Sequence, residues 1–214
     1  MSGSGAEGPS LERLKQGLAA FTPRRAPQFG RPAAVLAPIL CRDHELHVMF
    51  TERSQSLRAH AGQISFPGGK VEPGDRGMRE TALREAQEEV GLDPAHATIL
   101  GELDDVPTFV TGYVISPVVA LIDEASLSGA TYPWRLSQGE VVRVHELAMR
   151  DLLEPSALRV EERERDGIRF ELYSYTVRGT TVWGATARIL HQLLDLAMGR
   201  PIGPPPWHNL RSTH

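Results

Sequence analysis

Arg84, Glu85, Glu88 and Glu89 crowd into one segment, 69–92, which follows a glycine turn formed by Phe66, Pro67, Gly68 and Gly69. In a helix turning about 100° per residue, Glu85, Glu88 and Glu89 stand at i, i+3 and i+4 and share one face. Carboxylates grouped in this way suit a hard divalent cation, which takes oxygen ligands. Beside a glycine turn, such a cation could be held against a phosphate. Ala82, Leu83, Ala86 and Val90 form an adjacent stripe that can bury against a sheet. Asp75 is expected to cap the start of the helix and Gly91 to close its end.

The electrostatics oppose helix stability. Each like-charge pair on a helix face costs roughly 0.2–0.5 kcal/mol. Acids in the final turn also oppose the helix dipole, at about 0.3–1 kcal/mol each. Pairing of Arg84 with Glu88, and of Glu80 with Arg84, offsets part of this. A local rule broken without visible compensation marks a candidate functional site. The competing explanation is a solvated acidic face, because charge runs are usually surface. The residues around the glutamates tip the balance toward function.

Read whole, residues 69–92 resemble a Nudix box, G-x5-E-x7-R-E-U-x-E-E-x-G-U with U aliphatic. Gly69 supplies the first glycine, and 84–92 match every specified position with Ala86 as a small aliphatic. Two departures stand out. Asp75 replaces the first Glu, and eight residues, not seven, separate it from Arg84. The insertion is expected in the loop before the helix. Upstream, Thr51-x-Arg53-Ser54-x3-Arg58-x3-Gly62-x3-Phe66-Pro67-Gly68-Gly69 is similar to the signature of the coenzyme A pyrophosphatase branch, which commonly carries the longer spacing. Segments 112–119 and 183–190 look alike too, so the resemblance spans roughly residues 30 to 195.

The 214 residues suit one domain with short tails: 1–29 a tail, short helix and linker, 30–198 the main domain, and 199–214 a Pro-rich tail. A hydrophobic content of 41% can fill a core, and a net charge of −4 argues against broad nucleic-acid or membrane-surface binding. Cys41 is the only cysteine, which excludes an internal disulfide and points to a reducing, cytoplasmic compartment. Cys41 itself is expected to be a packed strand residue. No apolar run reaches membrane-spanning length, and the first ten residues lack the plan of a signal peptide.

Along the chain, helices are expected at 11–18, 76–90, 146–153 and 185–198. Strands are expected at 33–41, 45–51, 98–103, 113–122, 140–144, 159–164 and 168–175, the last two joined by a turn at Asp166-Gly167. Residues 1–9 are expected to be a disordered tail. The mixture implies an α/β sandwich with a mixed sheet. The resemblance implies the same architecture, a Nudix-type α/β/α sandwich with the box helix against the sheet.

The resemblance also implies the site. Mg²⁺ or Mn²⁺ would be held by Glu85, Glu89 and Glu88 and by the backbone carbonyl of Gly69. Arg84 would orient the glutamates by ion pairing. The general base would be a glutamate of the box or one from a later loop, of which Glu140 is the candidate; its bland alternative is an exposed strand-edge acid. Arg53, Arg58 and Lys70 are the candidate phosphate contacts, with Gly68 lining the substrate. His60 is as readily a loop-packing residue as a catalytic one, and Trp183 is expected in the core. Three functions stay open: a diphosphatase of coenzyme A or its thioesters, giving 3′,5′-ADP and (acyl-)4′-phosphopantetheine; a diphosphatase of an oxidised nucleotide, nucleotide sugar or dinucleotide; and a non-catalytic binding module. The partner in each is a small molecule.

Overall fold

The computed structural model describes residues 8–27, 30–42, 44–55, 62–108, 111–123, 132–165, 168–205 and 207, with Arg165 and Ile168 described by backbone alone. In chain order the elements are α1 (Leu11–Ala20), β1 (Arg31–Arg42), β2 (Glu45–Arg53), β3 (Ile64–Ser65), β4 (Gly68–Lys70), α2 (Met78–Val90), a 3-10 turn (Pro94–His96), β5 (Ala97–Glu102), β6 (Val106–Pro107), β7 (Tyr113–Ile122), β8 (Val141–Ala148), α3 (Met149–Leu152), β9 (Leu158–Arg165), β10 (Ile168–Val177), β11 (Thr180–Trp183) and α4 (Gly184–Ala197). The expected turn at Asp166-Gly167, along with Arg58, His60, residues 1–7 of the expected N-terminal tail and residues 206 and 208–214 of the expected C-terminal tail, lies outside the described residues.

β1 and β7 are apolar along nearly their whole length, so they must be covered on both faces. They pair with each other in parallel, while β1 pairs antiparallel with β4 at its start and with β2 at its end. β7 likewise meets β6 early and β5 late, both antiparallel. Besides Pro32 near its start, β1 carries Pro38, and β7 carries Pro117, where a strand ladder would not normally tolerate a proline. Pro38 and Pro117 fall at seams where the flanking partner changes. On the same sides, Leu36 donates to the Pro67 carbonyl at 2.9 Å and Leu103 to the Pro117 carbonyl at 3.0 Å. The missing N–H groups therefore break no ladder.

Side chains alternate across β1 and sort into two cores. Ala34, Leu36 and Leu40 face the α2 stripe of Ala82, Ala86 and Val90, with Leu83 partly buried beside it. Ala37 and Ile39 face Ile189, Leu190 and Leu193 of α4 together with Leu14 and Leu18 of α1. A second antiparallel sheet, β11–β10–β9, adds Tyr173, Tyr175 and Val182 to that second core. The result is the expected α/β/α sandwich around a mixed sheet.

Several local expectations change. The helix expected at 146–153 shrinks to α3, because β8 stays paired with β2 as far as Ala148 opposite His47. Cys41 lies on β1 but is exposed, not packed. Trp183 ends β11 with half its surface exposed, not in the core. Trp207 is buried and donates its indole N–H to the Asp105 carbonyl at 3.1 Å. Among the described residues no helix is long and apolar enough to cross a membrane.

α1 is bound into the core by Leu14 and Leu18, both buried one turn apart. Replacing Leu14, fully buried, by Ala should therefore cost roughly 2–5 kcal/mol. Thermal melting is expected to show a fall of roughly 5–15 °C for a chain of this size. An unchanged midpoint would mean that α1 is peripheral.

Candidate functional site

The site begins at the seam described above. Phe66 is buried and stacks on Phe50 with ring centroids 4.8 Å apart, which anchors the turn to the core. Gly68 then passes so close to β1 that a Cβ there would lie 2.4 Å from the Ala34 carbonyl oxygen. Gly69 faces α2: a Cβ there would lie 2.3 Å from Oε1 of Glu85. Only glycine lets strand and helix approach this closely.

Arg84 is the hub of the acidic face. Its guanidinium forks onto Asp75 through Nε and Nη2, each at 3.1 Å, and Nη2 also donates to the Lys70 carbonyl at 2.9 Å. Nη1 stands 3.1 Å from Glu85 and 3.2 Å from Glu88. Asp75 additionally accepts from the Glu72 N–H at 2.9 Å and the Thr81 hydroxyl at 2.8 Å. The Arg84 hydrogen bond, with these donors, holds the Asp75 carboxyl far below the usual range. Asp75 is thus not the helix cap; α2 starts at Met78 after Gly77, which offers no side-chain cap. The aspartate is consumed by Arg84, nine residues on, which a local reading of the helix start could not detect. Glu80 pairs with Arg76 at 3.1 Å, not with Arg84, whose fork is already filled. Gly91 ends the helix at φ 69°, as expected.

The three box glutamates differ in environment. Glu88 is exposed, Glu85 half-buried and Glu89 buried at 5% exposure. Burial pushes the Glu85 carboxyl up, opposed by Arg84. Burial raises Glu89 further, to about 7; Arg53 opposes the shift, while the charges of Glu85 and Glu140 add to it. The Gly68 backbone also opposes the rise, and Arg53 approaches through Nη1 at 3.6 Å. Among the described residues no group of three or more His, Cys, Asp or Glu side chains forms a set that could hold a metal ion as it stands.

A cleft of about 290 Å³ takes in four of the expected residues, Arg53, Gly68, Gly69 and Lys70. Its lining also includes the apolar Val35 and Ile115. The Arg53 Nε is buried and has no hydrogen-bond partner among the described residues. Glu140 is exposed at the head of β8, 3.4 Å from the Ser137 hydroxyl. Arg58 lies outside the described residues. The structure thus gathers Glu85, Glu89, Arg53, Gly68 and Gly69 along one edge and leaves Glu88 and Glu140 exposed at its margin. Tyr113, Thr186 and Ile189 also line the cleft and were not expected in the site. The signal for Thr186 and Ile189 was present in segment 183–190, whose apolar spacing reads as helix core.

Comparison with known proteins identifies the family to which this sandwich, with its glycine turn and acidic helix, belongs. The NUDIX domain family model matches residues 30–165. The chain is 36% identical over 171 residues to the uncharacterized Nudix hydrolase NudL of Photorhabdus laumondii, covering 80% of this chain and 87% of the relative. To the protein of the same name from Pectobacterium atrosepticum it is 37% identical over 171 residues, covering 80% and 85%. Among solved structures it is similar to the NUDIX domain of Shewanella oneidensis NrtR complexed with ADP ribose, at 19% identity and a TM-score of 0.45, covering 65% of this chain and 85% of that one. The chain belongs to the Nudix hydrolase family, whose members generally use divalent metal ions.

Glu89 carries a pH signature. Its carboxyl binds a proton more tightly in the folded chain than in the unfolded one, whose value is near 4.5. Between there and about 7 the native state holds more protons, so stability falls as pH rises through that window. With divalent ions chelated, the loss between about pH 5 and pH 8 should be on the order of 3 kcal/mol larger for the wild type than for Glu89→Gln. Denaturant unfolding at both pH values measures it. Equal losses would mean that Glu89 is not the strained group.

Proposed function

We propose that the protein is a divalent-metal-dependent diphosphatase acting on coenzyme A or acyl-coenzyme A, giving 3′,5′-ADP and 4′-phosphopantetheine or its acyl form. The observation that carries this reading is the meeting of two sequence motifs in one place. Arg53 of the upstream motif reaches Glu89 of the box beside Gly68 and Gly69. Cys41, the single cysteine, fits a reducing cytoplasmic setting.

The residues fit a hard divalent cation. The donors are carboxylate oxygens and a backbone carbonyl, as Mg²⁺ or Mn²⁺ requires. Glu85 fills the space that a Cβ on Gly69 would take, which puts a carboxylate against the turn. Burial raises Glu89, so its charged form lacks solvation that a cation would replace. In this reading Glu85, Glu89, Glu88 and the Gly69 carbonyl would hold the ion. Bound there, a divalent cation supplies charge neutralisation at the phosphoryl oxygens and a more acidic water.

The chain's own groups do the rest. Arg84, fixed by Asp75, keeps Glu85 oriented and prevents the like-charged face from splaying. Arg53 exchanges its long contact with Glu89 for a phosphate oxygen, which guanidinium geometry suits. In this reading Lys70, which lines the cleft, contacts the same anion. Glu140 would accept the proton that water loses. In hydrolysis the water oxygen bonds to one phosphorus and the bond from that phosphorus to the bridging oxygen breaks. The bridging oxygen leaves with the other phosphate.

Purified protein with coenzyme A and Mg²⁺ or Mn²⁺ is expected to release 3′,5′-ADP, and none in the presence of a chelator. Glu85→Gln should lower kcat by roughly a hundredfold or more while the fold persists. A higher kcat/KM for an oxidised nucleotide, nucleotide sugar or dinucleotide, with coenzyme A left intact, would overturn the substrate. Full activity in Glu85→Gln would overturn the site.

A further inference from the structure

The chain between α1 and β1 carries two adjacent arginines, Arg24 and Arg25, and the chain between β5 and β6 carries two adjacent aspartates, Asp104 and Asp105. The aspartates are buried, at 1% and 6% exposure, where a carboxylate needs a partner. Arg24 gives its backbone N–H to Asp104 at 2.7 Å, and its Nε and Nη2 reach the same carboxylate at 2.9 Å and 2.6 Å. Arg25 pairs through Nη1 with Asp105 at 3.0 Å and through Nη2 with Glu102. The backbone joins in. The Asp105 N–H donates to the Arg24 carbonyl at 3.1 Å, and the Ala26 N–H donates to the Asp105 carboxylate at 3.1 Å. Residues 24–26 thus form a strap bound to the two aspartates.

Among the described residues that line the cleft, neither arginine is present, yet the aspartates are bonded to elements that do line it. Asp105 accepts from the Ser116 hydroxyl at 2.7 Å, and Ser116 follows Ile115 of β7, a lining residue together with Tyr113. β6 starts at the residue after Asp105 and runs into Thr108, which also lines the cleft. The Asp104 N–H donates to the Gln192 side chain at 3.2 Å, one turn along α4 from the lining residue Ile189. Two buried acids therefore tie β6, β7 and α4 together, and residues ahead of β1 offset their charge. A buried carboxylate that loses its partner is strongly destabilised, so these three elements depend on the strap for their relative placement.

We infer that Arg24 and Arg25 are positioning residues for the substrate cleft, acting through Asp104 and Asp105 to hold β6, β7 and α4 at the spacing that admits the substrate. The inference rests on the proposed function only in seating the substrate in this cleft. Loss of Arg25 leaves Glu102 its pair with Arg79 of α2 at 2.7 Å, so the helix that carries Glu85 and Glu89 stays anchored. The strap therefore governs binding and leaves the chemical step to the acidic edge.

Full-length wild type, Arg25→Ala, Arg25→Lys and Ser116→Ala are assayed with coenzyme A and Mg²⁺, below the melting midpoint of each. Arg25→Ala should raise KM roughly tenfold, with kcat within about twofold of the wild type. Arg25→Lys, which keeps the charge, should restore most of the KM. Ser116→Ala cuts the link from Asp105 to β7 without leaving a charge unpaired, and it should raise KM in the same direction. It carries the test if Arg25→Ala does not fold. A KM unchanged in the folded variants, or a kcat that falls more than KM rises, overturns the inference. If the wild type does not cleave coenzyme A, the substrate reading falls, and amide hydrogen exchange of the folded variants decides the strap. Exchange that quickens over 111–116 and 184–192 while 78–90 stays protected supports it. Exchange unchanged over the first two segments, or quickened in all three, overturns it.

Discussion

One guanidinium holds this site together. Arg84 meets Asp75, Glu85 and Glu88 at once, with distances of 3.1–3.2 Å, and a backbone carbonyl as well. Without it α2 would present acids at i, i+3 and i+4 in its last turns, against its own dipole. The compensation is long-range. Asp75 comes from the loop before the helix, and the Lys70 carbonyl comes from β4. A single side chain therefore ties loop, strand and helix into one geometry, and everything chemical at the edge inherits that geometry.

A second constraint acts through absence of a side chain. Gly68 and Gly69 bring β4 against β1 on one side and against Glu85 on the other. The sandwich makes this possible because β1 changes partner from β4 to β2 at Pro38, which opens a seam for the glycine turn. Arg53, at the end of β2, reaches the edge from the same seam. Fold and site are therefore not separable here, since the partner change of the central strand is what admits the turn.

Much of this was legible in the sequence, and the failures are instructive. β7 begins and ends where its apolar run does, and the α2 stripe of Ala82, Ala86 and Val90 is buried as its spacing requires. Arg84 with Glu88 was readable because i,i+4 geometry is local. Arg84 with Asp75 was not, because it depends on how a loop folds back over the helix start. Glu80 was misassigned for the same reason, once Arg76 competed for it. α3 was overestimated because pairing with β2 outlasts the local helical pattern. Thr186 was hidden within a helix whose apolar face reads as core, although its first turn lines the cleft. Cys41 and Trp207 show the same limit from both sides: strand position did not settle exposure in the one, nor did a proline-rich context in the other.

The account stands or falls on whether the acids arranged by Arg84 take up a divalent cation together. Electron paramagnetic resonance of Mn²⁺ titrated into the protein reads this directly, since bound ion loses the free-ion signal. The wild type should bind Mn²⁺ in the presence of a substrate analogue, and both Glu85→Gln and Glu89→Gln should weaken that binding by roughly tenfold or more. Binding left untouched by both substitutions, or no uptake by the wild type, would contradict it.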